Sequence, residues 1–195
     1  MDPINTVRFF PIYELQDDEI KSVETKLKSK KFLLENQHLR ETCTDDDGAL
    51  KSLDVTHQQI ADKIEELVCK AKPILSKMQQ QDTYDGPFQR NRLKPIVDNR
   101  FQLTIDEYYQ QQKCPFSFSH SSVIAEDLDC PLILEGAKIT ILNLETSESI
   151  HFSYLTCHMI RQHGFFQKGK EHFDPVTACR VLELMQKQKG ATKPA

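Results

Sequence analysis

Seventeen consecutive residues carry most of the side chains in this chain that could do chemistry. The segment HFSYLTCHMIRQHGFFQ, residues 151–167, contains three histidines, one cysteine and two adjacent phenylalanines. Imidazole and thiolate groups are the usual zinc ligands, and a cysteine beside a histidine is a common nucleophile. The segment therefore raises two chemical hypotheses, a metal site and a catalytic Cys/His pair. A third interpretation is a purely structural helix.

The zinc hypothesis starts from His158 and His163, whose four intervening residues match the spacing of paired histidines in finger-type sites. Other thiols and imidazoles could complete such a site: Cys114, His120, Cys130, Cys157 and His172. However, no two cysteines have the close spacing that usually supplies half of a zinc site. On an unbroken helix, positions 158 and 163 also point about 140° apart. The sequence therefore predicts no metal and no cofactor. If a metal does bind, the candidate ligands are Cys130, Cys157, His158 and His163.

The nucleophile hypothesis concerns Cys157 and His158, which are neighbours in the chain. On a helix their side chains diverge, so a catalytic pair would have to join elements that are distant in sequence. Cys157 stands in the first turn of the predicted helix, where the helix dipole can lower the pKa of a thiol. The alternative is a small, half-buried residue beside Met159 and Ile160. Whether the chain is an enzyme stays open at this level.

The structural interpretation accounts for most residues of the segment. Ser153 offers a side-chain oxygen as N-cap to a helix from Tyr154 to about His163. Gly164 stands where a left-handed residue commonly ends a helix. Phe165 and Phe166 can then fold back onto the helix end. We therefore expect the segment to form the central helix of a C-terminal module.

The rest of that module, residues 114–189, is predicted to be α+β. The stretch CPLILEGAKITILNLETSESIHFSY, residues 130–154, has the alternation and the polar turn of a β-hairpin, with His151 paired across it. After the central helix and a loop, Asp174 as N-cap and Pro175 at the first helical position begin a last helix. Residues 190–195 form a polar tail.

The N-terminal part, residues 1–80, is predicted to be an antiparallel helical hairpin. Apolar residues recur at helical spacing over 15–39 and again over 54–71, where Pro73 is expected to close the second helix. The acidic, glycine-containing stretch 41–52 is interpreted as the break between the two helices. Residues 81–113 are interpreted as a linker with short elements, in which the stretch from Arg100 to Lys113 is either strand or helix.

Composition excludes several classes of function. The net charge of −4 does not suit a dedicated nucleic-acid binder, which usually has a basic face. No apolar run approaches the roughly 20 residues of a membrane span, and the N-terminus lacks the pattern of a signal peptide. The six cysteines are expected to be free thiols. Glycine-rich phosphate-binding motifs, H-E-x-x-H and G-x-S-x-G are absent. A cytoplasmic protein is the expectation.

The layout of residues 128–188 resembles the U-box, the zinc-free relative of the RING domain in ubiquitin ligases, including compact ones that bacteria deliver into host cells. The resemblance rests on the Cys130-Pro131 loop, a short hairpin, a helix, and a second loop ending in Asp174-Pro175. In that family, an apolar residue after Cys-Pro and a proline in the second loop dock a ubiquitin-conjugating enzyme. The resemblance implies that Leu132 and Pro175 form this surface, and that Ile133 could extend it.

The predicted arrangement favours a function in protein–protein contact, because it combines a helical hairpin, a linker and a compact module. The prediction is an interaction protein that acts as a U-box-like ubiquitin ligase, or as an effector recruiting a conjugating enzyme, in the cytoplasm or the cytosol of a host cell. A non-catalytic adaptor or structural protein is the alternative, followed by a zinc-binding or Cys/His-dependent enzyme. Neither nucleic acid nor membrane is an expected partner, and the residues leave the oligomeric state open.

Overall fold

The computed structural model describes Ile12 and residues 15–81, 93–116, 134–169 and 172–185. Within these residues the chain forms five α-helices and one four-stranded antiparallel sheet, which confirms the predicted α+β class. The helices are α1 (Asp17–Ser29), α2 (Leu39–Ser52), α3 (His57–Gln81), α4 (Tyr154–His163) and α5 (Pro175–Val181). The strands are β1 (Ile96–Val97), β2 (Phe101–Gln112), β3 (Leu134–Asn143) and β4 (Ser149–Ser153). None of the described helices combines the length and the apolar character that crossing a membrane requires.

The N-terminal part contains three helices, and the prediction of a break at 41–52 is wrong. This stretch forms most of α2, because its buried face is built from residues at helical spacing that include Thr42, Cys43, Asp46 and Leu50. Half of that face is polar, so the apolar periodicity that usually reveals a helix is hidden. The exposed Gly48 makes helix formation about 1 kcal/mol less favourable than alanine would, and tertiary packing of α2 offsets this cost.

Pro73 lies inside α3, and the expectation that it ends this helix is also wrong. A proline within a helix removes one backbone hydrogen bond and costs about 3 kcal/mol. The apolar face nevertheless continues past it, from Ala71, which is fully buried, to Ile74 and Leu75, which pack against the same core. Burial on both sides of the proline keeps the helix intact.

The sheet has the order β1-β2-β3-β4, with every neighbouring pair antiparallel. The stretch that the sequence left ambiguous is strand β2, and it pairs along nearly its whole length with β3. The predicted hairpin is confirmed as β3–β4, and Thr140 lies opposite His151 with a 2.9 Å hydrogen bond between Oγ1 and Nδ1. Alternate residues such as Leu103, Ile141 and Phe152 face the core.

Two groups of buried side chains hold these elements together. We call the first the sheet core; it contains the inner face of the sheet with residues of α3, α4 and α5, among them Ile64, Leu103, Ile141, Phe166 and Phe173. We call the second the helical core; it contains Ile12, Ile20, Val23, Leu27, Leu33, Leu39, Cys43, Cys114, Phe116, Leu155, Met159 and Phe165. Each core draws residues from both sides of the linker predicted from the sequence.

Helix α4 connects the two cores, and its predicted ends are confirmed. Ser153 accepts a hydrogen bond from the Thr156 amide and forms a capping box with that residue. Gly164 has φ of 64°, the left-handed conformation that glycine adopts at low cost. The next two residues then separate, because Phe165 enters the helical core and Phe166 enters the sheet core.

Candidate functional site

Cys114, His158 and His163 come together where the chain leaves β2 and passes α4. The thiol and the two imidazoles can each offer one ligand atom, and these atoms all lie within 4.8 Å of one another. Cys114 and His163 are buried, whereas His158 is half-buried. Sγ of Cys114 and Nε2 of His163 are hydrogen-bonded at 3.5 Å. These three residues are the candidate metal site, and we use that name for them below.

The rings of His158 and His163 are in contact, although their positions point about 140° apart on the helix. Their ring centroids are 5.4 Å apart with an interplanar angle of 72°, although five residues of helix correspond to a rise of about 7.5 Å. Both side chains lean towards the helix N-terminus, so the approach of the two rings comes from their length and their side-chain torsion angles. A separation of about 140° between Cα–Cβ directions therefore does not keep two long rings apart.

An aromatic wall lies against the candidate metal site. The Phe116 ring stacks on His163 with centroids 4.2 Å apart and an interplanar angle of 8°. Phe165 packs against Phe116 at 5.8 Å and an angle of 55°. Pro115, between the ligand Cys114 and the stacked Phe116, is buried as well. An apolar wall of this kind lowers the local dielectric and strengthens interactions between charged groups.

A lysine from α1's C-cap position lies close to the thiol. Nζ of Lys30 donates a 2.7 Å hydrogen bond to the carbonyl of Lys113, the residue before Cys114. Burial lowers the pKa of the Lys30 ammonium, while the negative charge that Cys114 can carry opposes this effect. A cation near a thiol favours the thiolate, which is the form that binds metal.

The distances fit a zinc ion with small adjustments. Zinc bonds of about 2.3 Å to sulfur and 2.0–2.1 Å to nitrogen, in a tetrahedron, place a sulfur and a nitrogen ligand about 3.6 Å apart. The 3.5 Å between Cys114 and His163 already matches this separation. His158, whose ligand atom lies within 4.8 Å of the other two, completes the set by a change of its side-chain torsion angles.

Cys157 belongs to neither a metal site nor a catalytic pair in the described structure. Its Sγ lies 3.9 Å from the carbonyl oxygen of Ala61 in α3, to which the thiol donates. Burial raises the pKa of the Cys157 thiol to about 12, so the expected lowering by the helix dipole is overturned. The interpretation of Cys157 as a packed structural residue accounts for both observations. None of the five cysteines in the described part of the chain forms a disulfide.

A second arrangement, which the sequence did not reveal, joins His57 and Asp47. Nε2 of His57 lies 3.3 Å from Oδ1 of Asp47, and the imidazole stacks on Phe166 with centroids 5.2 Å apart. Burial lowers the pKa of His57. Both residues line a cavity of about 220 Å³ that His163 and Gly164 also line. The pair was missed because residues 41–52 were interpreted as a break.

The residues predicted to bind a protein partner are described only in part. Leu132 and Ile133, together with the candidate ligand Cys130, lie outside the described residues. Pro175 is the first residue of α5 and is buried, and the preceding Asp174 accepts a hydrogen bond from the Thr177 amide. Recruitment of a ubiquitin-conjugating enzyme through this surface therefore stays a prediction.

The sequence predicted no metal, and it placed His158 and His163, two of the three residues of the candidate metal site, among four candidate ligands. Cys114 was one of several possible partners, and the only signal for choosing it would have been its position directly after a strand that was itself ambiguous. Comparisons of the chain with protein-family models, with curated proteins and with solved structures found no match. The chemistry of the described residues is therefore the basis for assigning a function.

Proposed function

We propose that the protein binds a transition-metal ion, with Zn²⁺ as the first expectation, through Cys114, His158 and His163. The observation that carries this proposal is the convergence of one thiol and two imidazoles within 4.8 Å. The two histidines come from one helix, and the cysteine comes from a segment 44 residues earlier. Ligands brought together from distant segments are typical of a site that forms only in the folded protein.

The type of ligand favours zinc over magnesium or calcium. Thiolate and imidazole are the ligands that zinc and copper prefer, whereas magnesium and calcium require oxygen ligands. One cysteine and two histidines supply three ligands, the number found in zinc sites that keep one coordination position for water or another donor. An ion bound in this way acts as a Lewis acid towards whatever occupies the fourth position.

Each residue has a distinct part in the proposed site. Cys114 would lose its proton and supply the negative charge that offsets part of the ion's charge. His163 is already oriented by its hydrogen bond to Sγ and by its stacking on Phe116. His158 is the half-buried member of the three, so it is the ligand most exposed to solvent.

Metal titration of the purified full-length chain tests this proposal. We expect one equivalent of Zn²⁺ by isothermal titration calorimetry and by elemental analysis after dialysis. Co²⁺ should give the near-ultraviolet charge-transfer band of a thiolate-bound ion. Cys114→Ser should abolish this band, and His158→Gln should weaken binding without disturbing the buried residues. Cys157→Ser is the matched control and should bind like the parent protein.

Two results would overturn the proposal. One is the absence of stoichiometric binding of Zn²⁺, Co²⁺ or Cu²⁺ to the folded parent chain. The other is a cobalt charge-transfer band that survives in Cys114→Ser, because the thiolate would then belong to a different cysteine. His158→Gln covers the case in which substitution of a buried ligand prevents folding, since a half-buried position tolerates a polar side chain.

A further inference from the structure

Phe116 touches the candidate metal site without offering a ligand atom. Its ring lies nearly parallel to the His163 imidazole, at 4.2 Å between centroids and 8° between planes. Two aromatic rings more often meet with an offset or edge-to-face. A close, nearly parallel contact fixes the plane of the imidazole, and with it the direction in which Nε2 points.

We infer that Phe116 is a positioning residue of the metal site, which holds the His163 ring in the orientation that binds the ion. This inference rests on the proposed function. The contact leaves the edge of the ring, where Nε2 meets Sγ of Cys114 at 3.5 Å, available to a shared ion. Phe116 therefore acts through His163 and does not touch the metal.

The segment 114–116 supplies both the thiol ligand and the ring that stacks on His163. Cys114 and Phe116 are separated only by Pro115, and all three residues are buried. A proline has a fixed φ and restricts the preceding residue to extended conformations. This restriction favours an extended Cys114, whose thiol meets the edge of the imidazole while Phe116 lies on its face. The segment 114–116 thus contacts the His163 ring at its edge through Cys114 and on its face through Phe116.

Ring positioning matters because His163 stands in the last turn of α4. The backbone after it turns at Gly164, so helical neighbours support the ring only on its N-terminal side. Without Phe116 the imidazole could adopt other torsion angles around χ2, which is a broad and weakly restricted rotation. Partners that orient metal ligands typically contribute about 10–100-fold to metal affinity.

Phe165 provides a matched control for this inference. It is a buried phenylalanine of the same helical core and packs against Phe116 at 5.8 Å. Replacing either phenylalanine by methionine removes a ring but leaves a flexible apolar side chain that fills much of the space. A purely structural role for Phe116 predicts equal effects of the two substitutions on metal binding.

The test compares Phe116→Met, Phe116→Tyr and Phe165→Met in the full-length chain. Three properties are measured: the Zn²⁺ dissociation constant by chelator competition, the Co²⁺ spectrum, and the urea midpoint of the metal-free protein. We expect Phe116→Met to weaken Zn²⁺ binding by about 10-fold or more and to alter the cobalt bands. Phe116→Tyr, which retains the ring, should restore both properties. Phe165→Met should lower the urea midpoint at nearly unchanged affinity.

Equal losses of affinity in Phe116→Met and Phe165→Met would overturn the inference, and so would parental affinity in Phe116→Met. These outcomes leave the proposed function intact, whereas no metal binding by the parent chain removes both. A measurement on the metal-free protein tests the orientation itself. Nuclear magnetic resonance should show upfield ring-current shifts of the His163 imidazole protons that disappear in Phe116→Met. Unchanged shifts would also overturn the inference.

Discussion

Lys168 and Asp46 form an ion pair with 2.7 Å between Nζ and Oδ1, and the two side chains are only 11% and 8% exposed. The pair joins the segment after α4 to the buried face of α2. Burial raises the pKa of the Asp46 carboxyl, and the hydrogen bond and charge of Lys168 lower it in part. The carboxylate is thus retained in a site that disfavours its charge.

The first prediction concerns the removal of this cation. Lys168→Met should lower the free energy of unfolding by about 3 kcal/mol at pH 8, because it leaves a buried carboxylate without its partner. A carboxyl whose pKa is higher in the folded state destabilises the fold above that pKa and does so less as the pH falls. The deficit should therefore shrink on acidification. Urea unfolding between pH 5 and pH 8 measures it. A deficit that grows as the pH falls would contradict this account; the exposed Lys70→Met is the control.

A second prediction follows from the close approach of Gly169 to the backbone of Lys31. The amides of Lys168 and Gly169 both donate to the carbonyl of Phe32, at 2.8 and 3.1 Å. A Cβ atom on residue 169 would overlap the Lys31 carbonyl. Gly169→Ala should therefore cost about 2 kcal/mol or more. Gly48→Ala is the opposite control, because a Cβ there meets nothing within 4 Å and should stabilise α2 by about 0.5–1 kcal/mol. Thermal unfolding of both variants checks the signs.

A third prediction concerns the order in which thiols react. Cys69 is exposed, whereas burial raises the pKa of Cys157 to about 12 and raises the pKa of Cys43 still further. Because only the thiolate is nucleophilic, a thiol whose pKa is raised in this way by burial reacts slowly at pH 8. Pulsed alkylation followed by mass spectrometry should label Cys69 in the native protein, and Cys157 and Cys43 only in urea. Native labelling of Cys157 at the rate of Cys69 would refute the assignment of a packed thiol.

A fourth prediction links metal binding to the N-terminal helices. Cys114 and Phe116 belong to the helical core, and Lys30 holds the carbonyl of Lys113. An ion at the candidate metal site stabilises the conformations in which these residues stay together. The gain is about 2.7 kcal/mol when the free ion concentration is 100 times the dissociation constant. Hydrogen exchange with Zn²⁺ should slow most for amides of α1 and α4 that exchange through local opening. Cys114→Ser should show no such slowing, and slowing confined to the β3–β4 hairpin would rule out the link.

Elements with local signals were predictable from the sequence. The β3–β4 hairpin has alternating apolar residues and a polar turn, and α4 and α5 have side-chain caps at Ser153 and Asp174 that the structure confirms. Each of these signals depends on residues within a few positions of one another. Such signals are reliable because the hydrogen bonds they predict form between residues close in sequence. These bonds do not depend on contacts with distant parts of the chain.

Features that depend on distant contacts were not predictable. Helix α2 buries Asp46, and the ion pair with Lys168, which is 122 residues away, offsets part of the cost of that burial. Helix α3 continues through Pro73 because the sheet core supplies burial beyond it. The approach of Cys114 to α4 likewise depends on the pairing of β2 with β3. Spacing along the chain contains no information about such partners.

The divergence of Phe165 and Phe166 after Gly164 has a thermodynamic consequence. Phe165 is buried in the helical core and the next residue, Phe166, is buried in the sheet core. Unfolding of one core therefore displaces the backbone beside a residue that the other core needs in place. Helical core and sheet core are therefore expected to unfold as one cooperative unit, with a single calorimetric peak. Helix α4 would then couple the stability of the two cores. A substitution in either core would shift the same melting temperature.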